Sequence, residues 1–431
     1  MSAISAVIFG AGGRGRAYGK FALAHPQDLK VVAIADPQAE RRQKMAAEHN
    51  IPPENCFESW EEVIAAGIAA GGKLADTVIN CTMDRMHTES TLASLEAGYD
   101  ILLEKPMSPT LAENVRLIQA AEEKGRLLQI CHVLRYTPFW QTLREIVQSG
   151  RLGRIVSVDH RENLVYYHMA HSFVRGNWRQ NATSGAMILT KCCHDFDILS
   201  WILQKRVNWL SSFGSLVYFR PENAPAGAPA RCLDGCPAAE QCKYFAPRIY
   251  VSDEDGWPFN ALTYEFSEAA RLEALKTAPY GRCVYHCDND VVDHQTVNME
   301  LEDGTTVTLT MQGQGNEECR TMRYDGTRAT LYAKFADSGD KISIHDHLTG
   351  EIEYVTVPEP DSGHSGGDFG IARSFVNAVR GKADDSLTTA RESLESHLLA
   401  FAAEEARLNH NLVHMPEFRA RVEAQARQVY Q

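Results

Sequence analysis

The sequence has no apolar run of about 18 residues, the length a membrane-spanning helix needs, so no such helix is expected. It opens MSAISAVIFGAGG, with neither a basic leader nor a cleavage-site pattern. These absences give a cytoplasmic expectation. Positive charge is not in excess: Lys plus Arg number 43 against 56 Asp plus Glu, a net charge of −13. That balance argues against a general nucleic-acid or anionic-membrane binder. No internal repeat or low-complexity tract stands out. Apolar residues make up 44% and charged residues 23%, which argues against disordered and fibrous classes. The 11 cysteines form no obvious disulfide framework, and in a reducing compartment they read as thiols or metal ligands. A chain of 431 residues has room for two or three domains.

What is present begins at the N-terminus. The β-prone run Ala6–Phe9 leads into Gly10-Ala11-Gly12-Gly13-Arg14-Gly15, which has G-x-G-x-x-G spacing. A helix-like stretch follows, then a second β-prone run, Lys30–Ala35, ending in Asp36. An acid about 20 residues beyond the glycines is where a ribose hydroxyl pair is met. Gly10 permits the tight strand-to-helix turn. Gly12 leaves room for a pyrophosphate, and Gly15 lets helix and strand pack closely. The helix end offers free N–H groups to phosphate. Asp36 would repel a 2′-phosphate, so NAD is favoured over NADP. Arg41 and Arg42 follow closely and keep NADP open.

The α/β alternation continues with helices at 39–49, 60–66 and 87–97 and strands at 77–81 and 100–103. Thr82, Glu104 and Lys105 fall at the carboxyl ends of strands, where open α/β sheets bind ligands, and become candidates for the nicotinamide half of the site. From about residue 131 several segments alternate with period two, as half-buried strands do. Glu302-Asp303-Gly304 reads as a hairpin turn between two of them. The predicted fold class is α/β. A doubly wound parallel Rossmann sheet occupies 1–130. A C-terminal α+β domain with a large, mostly antiparallel open sheet occupies 131–431, with a Cys-rich insertion over 220–290.

The motifs fall in a recognisable order. After the glycine loop come His87, Glu104-Lys105-Pro106, Arg135-Tyr136-Thr137-Pro138, Gly153-Arg154-Ile155, His194 with Asp197, Arg323 to Leu331, and a helical stretch from Ser386. Over nearly the whole chain this resembles the Gfo/Idh/MocA family, that of glucose–fructose oxidoreductase and inositol dehydrogenase. The resemblance implies an NAD(P)-dependent oxidoreductase that forms a homo-oligomer, dimer or tetramer. It implies a cofactor site of Gly10, Gly12, Gly13, Arg14, Gly15, Asp36, Thr82, His87, Glu104 and Lys105. It implies that Lys105 contacts cofactor and substrate and that His194 serves as acid/base. One departure stands out. The family usually has Asp four residues before this His and Gly two before it, where this chain has Thr190 and Cys192. Lys191, Asp195 or Asp197 then replaces the missing carboxylate, or the chemistry differs.

Hydride transfer from an alcohol carbon requires loss of the hydroxyl proton, which a His titrating near neutrality can accept. A Lys ammonium would stabilise the developing alkoxide, or with a depressed pKa would itself be the base. Both assignments stay open. Tyr166–Arg179 is dense in aromatic, His and Arg residues, which suits a polyhydroxylated ligand, although an interface or structural loop accounts for it too. Candidate substrate contacts are Tyr136, Tyr167, His168, Arg175, Trp178, Lys191, Asp197 and His294. Trp178 and Arg179 are also candidates to cover the cofactor. His294 reads equally as a substrate contact or a structural histidine. Ser362–Gly370 reads as a lid or a connector.

Arg220–Tyr250 is Pro-rich and carries Cys232, Cys236 and Cys242, with Cys283 and Cys287 further on. Four thiolates hold structural zinc, so these five residues are the candidate metal ligands; free thiols and an iron–sulfur cluster are the other readings. Cys192-Cys193-His194 is not read as a nucleophile pair, because adjacent residues do not face each other. Three functions remain. The leading one is hydride transfer between a sugar, sugar derivative or polyol and nicotinamide. The second is an NAD-dependent glycosidase working by transient oxidation and elimination. The third is a non-catalytic cofactor-binding sensor.

Overall fold

Strands buried on both faces carry unbroken apolar runs, and the first sheet is made of them. In the computed structural model, which describes residues 2–252, 254, 256–360, 364–383 and 386–429, they are β1 (Ile4–Phe9), β2 (Leu29–Ala35), β3 (Cys56–Phe57), β4 (Thr77–Asn80), β5 (Asp100–Leu103) and β6 (Leu128–Ile130). All pair in parallel, in the order β3-β2-β1-β4-β5-β6. Strand order reverses between β1 and β4, which opens a crevice beyond their carboxyl ends. The connecting helices stop by local chemistry. The helix Leu111–Lys124 starts where the Thr110 side chain accepts from the Glu113 N–H, and it ends at Gly125 in the left-handed region.

The second sheet alternates buried and exposed residues, as a sheet with one open face must. It contains β7 (Ile155–Val165), β8 (Val207–Ser215), β9 (His294–Leu301), β10 (Thr306–Gly315), β11 (Cys319–Gly326), β12 (Ala329–Ala336), β13 (Lys341–Asp346), β14 (Ile352–Val355) and β15 (Val413–His414). The order is β14-β13-β12-β11-β7-β10-β9-β8-β15, antiparallel except for the β7–β10 pair. Its inner face packs Val297, Met299, Leu309, Met311 and Tyr324 into one core with the helices Pro138–Gln148, Cys193–Leu203 and Ala390–Asn409.

The first layer is not built from residues 1–130 alone. The helix Gly367–Val379 returns to it and buries Ile371, Phe375 and Val376 against Tyr18, Phe21 and β1. Each such side chain contributes about 1.5–3 kcal/mol. Of the glycine-rich stretch Ser362–Gly370, residues 362 and 363 lie outside the described residues. Asp368, at its other end, pairs with Arg14 of the glycine loop at 2.8 Å.

Where the two layers meet, Arg135 makes a two-pronged bond to Asp197 at 2.7 and 2.6 Å, with both side chains buried. Burial opposes ionisation of Asp197, but the Arg135 guanidinium outweighs it and holds the carboxyl below its usual range. Removing one member of a buried pair leaves the other charge stranded. Asp197→Ala is expected to lower stability by about 3–5 kcal/mol in urea unfolding at neutral pH. Because the folded pKa is depressed, the stabilisation is complete above the unfolded value of about 4 and is lost as pH falls below it. A mutant as stable as the wild type at pH 7 would contradict this role.

Candidate active site

The glycine loop has the backbone that dinucleotide binding needs. Gly10 sits at φ +89°, and a Cβ there would meet the Cys81 carbonyl oxygen at 2.4 Å. A Cβ on Gly15 would lie 2.0 Å from the Gly10 carbonyl oxygen. A Cβ on Gly12 would meet only the Arg41 guanidinium, at 3.8 Å, so the loop is open toward the crevice and Arg41 lies over it. A pyrophosphate fits this opening. Asp36 is buried, and its carboxylate accepts from the Ala11 and Gln38 N–H groups at 2.7 and 2.8 Å. It thereby fixes the loop next to where a ribose would lie. Arg42 is turned to the Asp36 carbonyl and to Glu58.

Other residues expected to touch the cofactor brace the crevice instead. Arg14 bonds Glu104, Tyr18 and Asp368, which ties the glycine-loop helix to the turn after β5. Glu104 is buried and accepts from both Arg14 and Tyr18. His87 is fully buried with its ring nitrogens against the carbonyls of Pro106 and Thr82, at 2.8 and 3.1 Å. It braces the two turns rather than lining the cleft between them. Thr82 remains part-exposed at the end of β4.

Lys105 reaches across the crevice, and its Nζ donates to the Thr190 carbonyl at 2.7 Å. A backbone oxygen therefore takes the cation where a carboxylate was missing from the sequence. His194 follows one helical turn later and is half-buried. Burial, reinforced by the charge of Lys105, drives its pKa well below the ordinary histidine range, so the ring is neutral. Behind it stands His132, with ring centres 5.5 Å apart, and then His397, 5.8 Å further. Burial pushes His132 down to about 4 and His397 to about 3. His397 Nε2 accepts from the Met107 N–H at 3.0 Å, so its Nδ1 donates to the Ser393 carbonyl.

Beneath the site lies an array of charges. Lys191 is held between Glu318 at 2.9 Å and Glu162 at 3.3 Å. Arg320 pairs with Glu162 at 2.6 Å and Asp195 at 2.8 Å, and Asp195 also accepts from His160 at 2.8 Å. Asp195 is thus committed below the pocket and does not replace the missing carboxylate; nor does Asp197, taken by Arg135. Glu318 also accepts from the Val165 N–H and from His168 Nδ1, at 2.9 and 3.0 Å. Burial and the charge of Lys191 hold His168 below its ordinary pKa.

The insertion packs its aromatic residues beside this array. Trp257 packs its ring edge on His168 at 4.7 Å and on His171 at 5.2 Å, and it lies 6.4 Å from Tyr167. Tyr280 stacks on His171 at 4.5 Å. Trp178 donates to Asp84 at 3.0 Å, anchoring the covering loop to the turn after β4. Four expected contacts lie elsewhere. Arg175 is fully buried and donates to the carbonyls of Arg282 and Tyr244. Arg179 is bound two-pronged to Asp288. The Tyr136 hydroxyl is engaged by Gln129, Ser374 and the Ser386 carbonyl. His294 pairs across the sheet with Gln312, which pairs with Asn163, on the face opposite Glu162, and it bonds Asp293. Of the candidate metal ligands, Cys232, Cys236, Cys242 and Cys283 line one small cavity, and Cys287 does not.

Two family profiles match. One, described as "Oxidoreductase family, NAD-binding Rossmann fold", covers residues 4–132; the other, the GFO/IDH/MocA C-terminal domain, covers 140–235. The chain belongs to the Gfo/Idh/MocA oxidoreductase family. Its first layer is thus an NAD-binding Rossmann domain of an oxidoreductase family. The chain is 24% identical to YteT of Bacillus subtilis (strain 168) over 68% of this chain and 70% of that one. It is 27% identical to inositol 2-dehydrogenase of Corynebacterium glutamicum (strain R), over 41% of this chain and 47% of the relative. The chain thus spans about half the length of that dehydrogenase. Among solved structures, the WlbA dehydrogenase of Bordetella pertussis, in complex with NADH and UDP-GlcNAcA, shares the fold with a TM-score of 0.65 at 16% identity, over 96% of this chain and 98% of that one. No helix among the described residues is long and apolar enough to cross a membrane.

Several residues of this oxidoreductase's pocket were not expected from sequence. His132 lies just past the end of β6, the same strand-end rule that picked out Thr82 and Lys105. Glu162 and Arg320 share the inner face of β7 and β11 with Val158 and Met322, so strand parity alone would have turned them inward. Trp257 has no such signal. Cys192 and Cys193 are buried, and burial raises both thiols, Cys193 up to about 12. Neither is expected to react with iodoacetamide in the native protein at pH 8, as read by peptide mass spectrometry. Rapid labelling of either would return the Cys/His nucleophile reading.

Proposed function

We propose that this oxidoreductase transfers hydride between a secondary alcohol of a sugar, sugar derivative or polyol and NAD. The observation that carries the reading is Lys105 and His194 standing together at the crevice the glycine loop opens onto. Bound NAD supplies the hydride acceptor at its nicotinamide C4. The neutral His194 ring takes the hydroxyl proton, and the Lys105 ammonium, steadied by the Thr190 carbonyl, stabilises the oxygen as it loses that proton. This assigns the base to His194, which the sequence left open between the two. Lys191, His168 and Tyr167 offer polar contacts beside the aromatic cover of Trp257 and Trp178, as a polyhydroxylated ligand requires. Asp36 supports NAD over NADP through its place beside the glycine loop.

The glycosidase reading has one supporting observation. His168, bonded to Glu318, is a second proton-transfer group near Lys105 and Lys191. Oligomerisation is also proposed, through the open face of the second sheet. Phe213 and Tyr354 are 62% and 80% exposed there, and a second copy would cover them.

Two measurements test the reading. A panel of sugars, polyols and glycosides is followed by reduced-nicotinamide absorbance and by product chromatography. Net NADH formation is expected; glycoside cleavage without it would favour the second reading. His194→Ala is expected to lower kcat by about 10²–10⁴ while cofactor binding persists. Because its folded pKa is depressed, His194 stays a competent base below pH 6.5, so the acid limb of kcat/KM is expected beneath that value. An acid limb above it, or an unimpaired His194→Ala, would contradict the assignment.

A further inference from the structure

Residues 220 to 290 form few regular elements. The described ones of any length are the helices Ala246–Tyr250 and Glu268–Thr277; the segment's own buried cluster is Cys232, Ala246, Tyr250 and Leu275, while Tyr244, Cys283, Val284 and Tyr285 join the core of the second sheet. So small a core holds so long a segment poorly. Yet this segment sets Trp257 and Tyr280 in fixed contact with His168 and His171. Hydrogen bonds from Arg231 and Arg271 to backbone carbonyls hold part of it, and a cross-link would hold the rest.

Four cysteines, three close together in the chain and the fourth far along it, meet there. Cys232, Cys236, Cys242 and Cys283 line a single cavity. None is in a disulfide. Among the described residues the side chains are not already gathered into a metal-ligating group of three or more, so binding has to draw the sulfurs inward.

A second, independent observation is the charge of Arg175. Its side chain is fully buried. It donates to the Arg282 and Tyr244 carbonyls and, at 3.7 Å, to Cys232 Sγ. Among the described residues no carboxylate pairs with it. A buried cation needs a counter-charge. Four neutral thiols supply none, whereas four thiolates around a divalent ion carry a net charge of −2.

We propose that Cys232, Cys236, Cys242 and Cys283 bind one structural zinc ion whose tetrathiolate shell is the counter-charge of Arg175, clipping the insertion over the pocket. Thiolate ligands select zinc among abundant divalent ions, and closed four-sulfur sites are structural. Each Cys–S–H gives up its proton to solvent as its sulfur bonds the ion, with no change of oxidation state.

The test is elemental analysis of the full chain purified with thiol reductant and dialysed. About one zinc ion per chain is expected. A strong chelator should release it while unmasking the four cavity thiols to Ellman's reagent. Cys242→Ser is expected to hold less than about a tenth of an ion per chain. Cys287→Ser, outside the cavity, keeps the full complement and controls for general loss of structure. The proposal is overturned if wild-type protein stays below about a tenth of an ion per chain after reconstitution with zinc. It is equally overturned if the metal is iron with inorganic sulfide, or if Cys287→Ser empties the site as completely as Cys242→Ser.

Discussion

The hydrogen bond from Lys105 to the Thr190 carbonyl joins the two halves of the proposed active site. Its donor stands at the end of a strand of the parallel sheet, and its acceptor belongs to the helical segment packed on the second sheet. Through it the ammonium comes to bear on His194. Both ends are braced. On one side His87 grips the Pro106 and Thr82 carbonyls and Glu104 ties back to Arg14. On the other, His132 and His397 back the His194 ring. A neutral imidazole beside an ammonium is the pairing that removal of a hydroxyl proton needs.

The floor of the pocket follows a different logic. Lys191 and Arg320 are each paired with Glu162, and Glu318 and Asp195 complete the array, yet burial still raises the Glu162 carboxyl above its usual range. Such an array is costly to bury and gives little net stability, but it fixes where each group sits. Lys191 and His168 therefore present polar atoms in set positions beneath an aromatic cover. The cover comes from the insertion, which makes its anchoring a matter of pocket shape.

Much of this was legible in the residues. Unbroken apolar strands, glycines at fixed spacing and Asp36 announce the parallel sheet and its loop, because each has a single physical use there. The motif order carried the family. The charged half of β7, Asp159 to Glu162, is hard to read as a strand, because its inward residues are a histidine and a glutamate. Arg175 and Arg179 looked like ligand-binding cations in a dense aromatic stretch. Their partners, the Tyr244 and Arg282 carbonyls and Asp288, lie far along the chain, and no local pattern reveals such distant pairing. The helix Gly367–Val379 joins the first layer for the same reason: its apolar stripe says that it packs, not against what.

The central claim is that a carbinol hydrogen moves to the cofactor between Lys105 and His194. The direct measurement uses sugars and polyols deuterated at the carbinol carbon, with mass spectrometry of the recovered coenzyme. The account predicts deuterium at nicotinamide C4 with the wild type and strongly slowed transfer in both Lys105→Met and His194→Ala. Cofactor binding without any label transfer across the panel, or transfer undiminished in those variants, would contradict it.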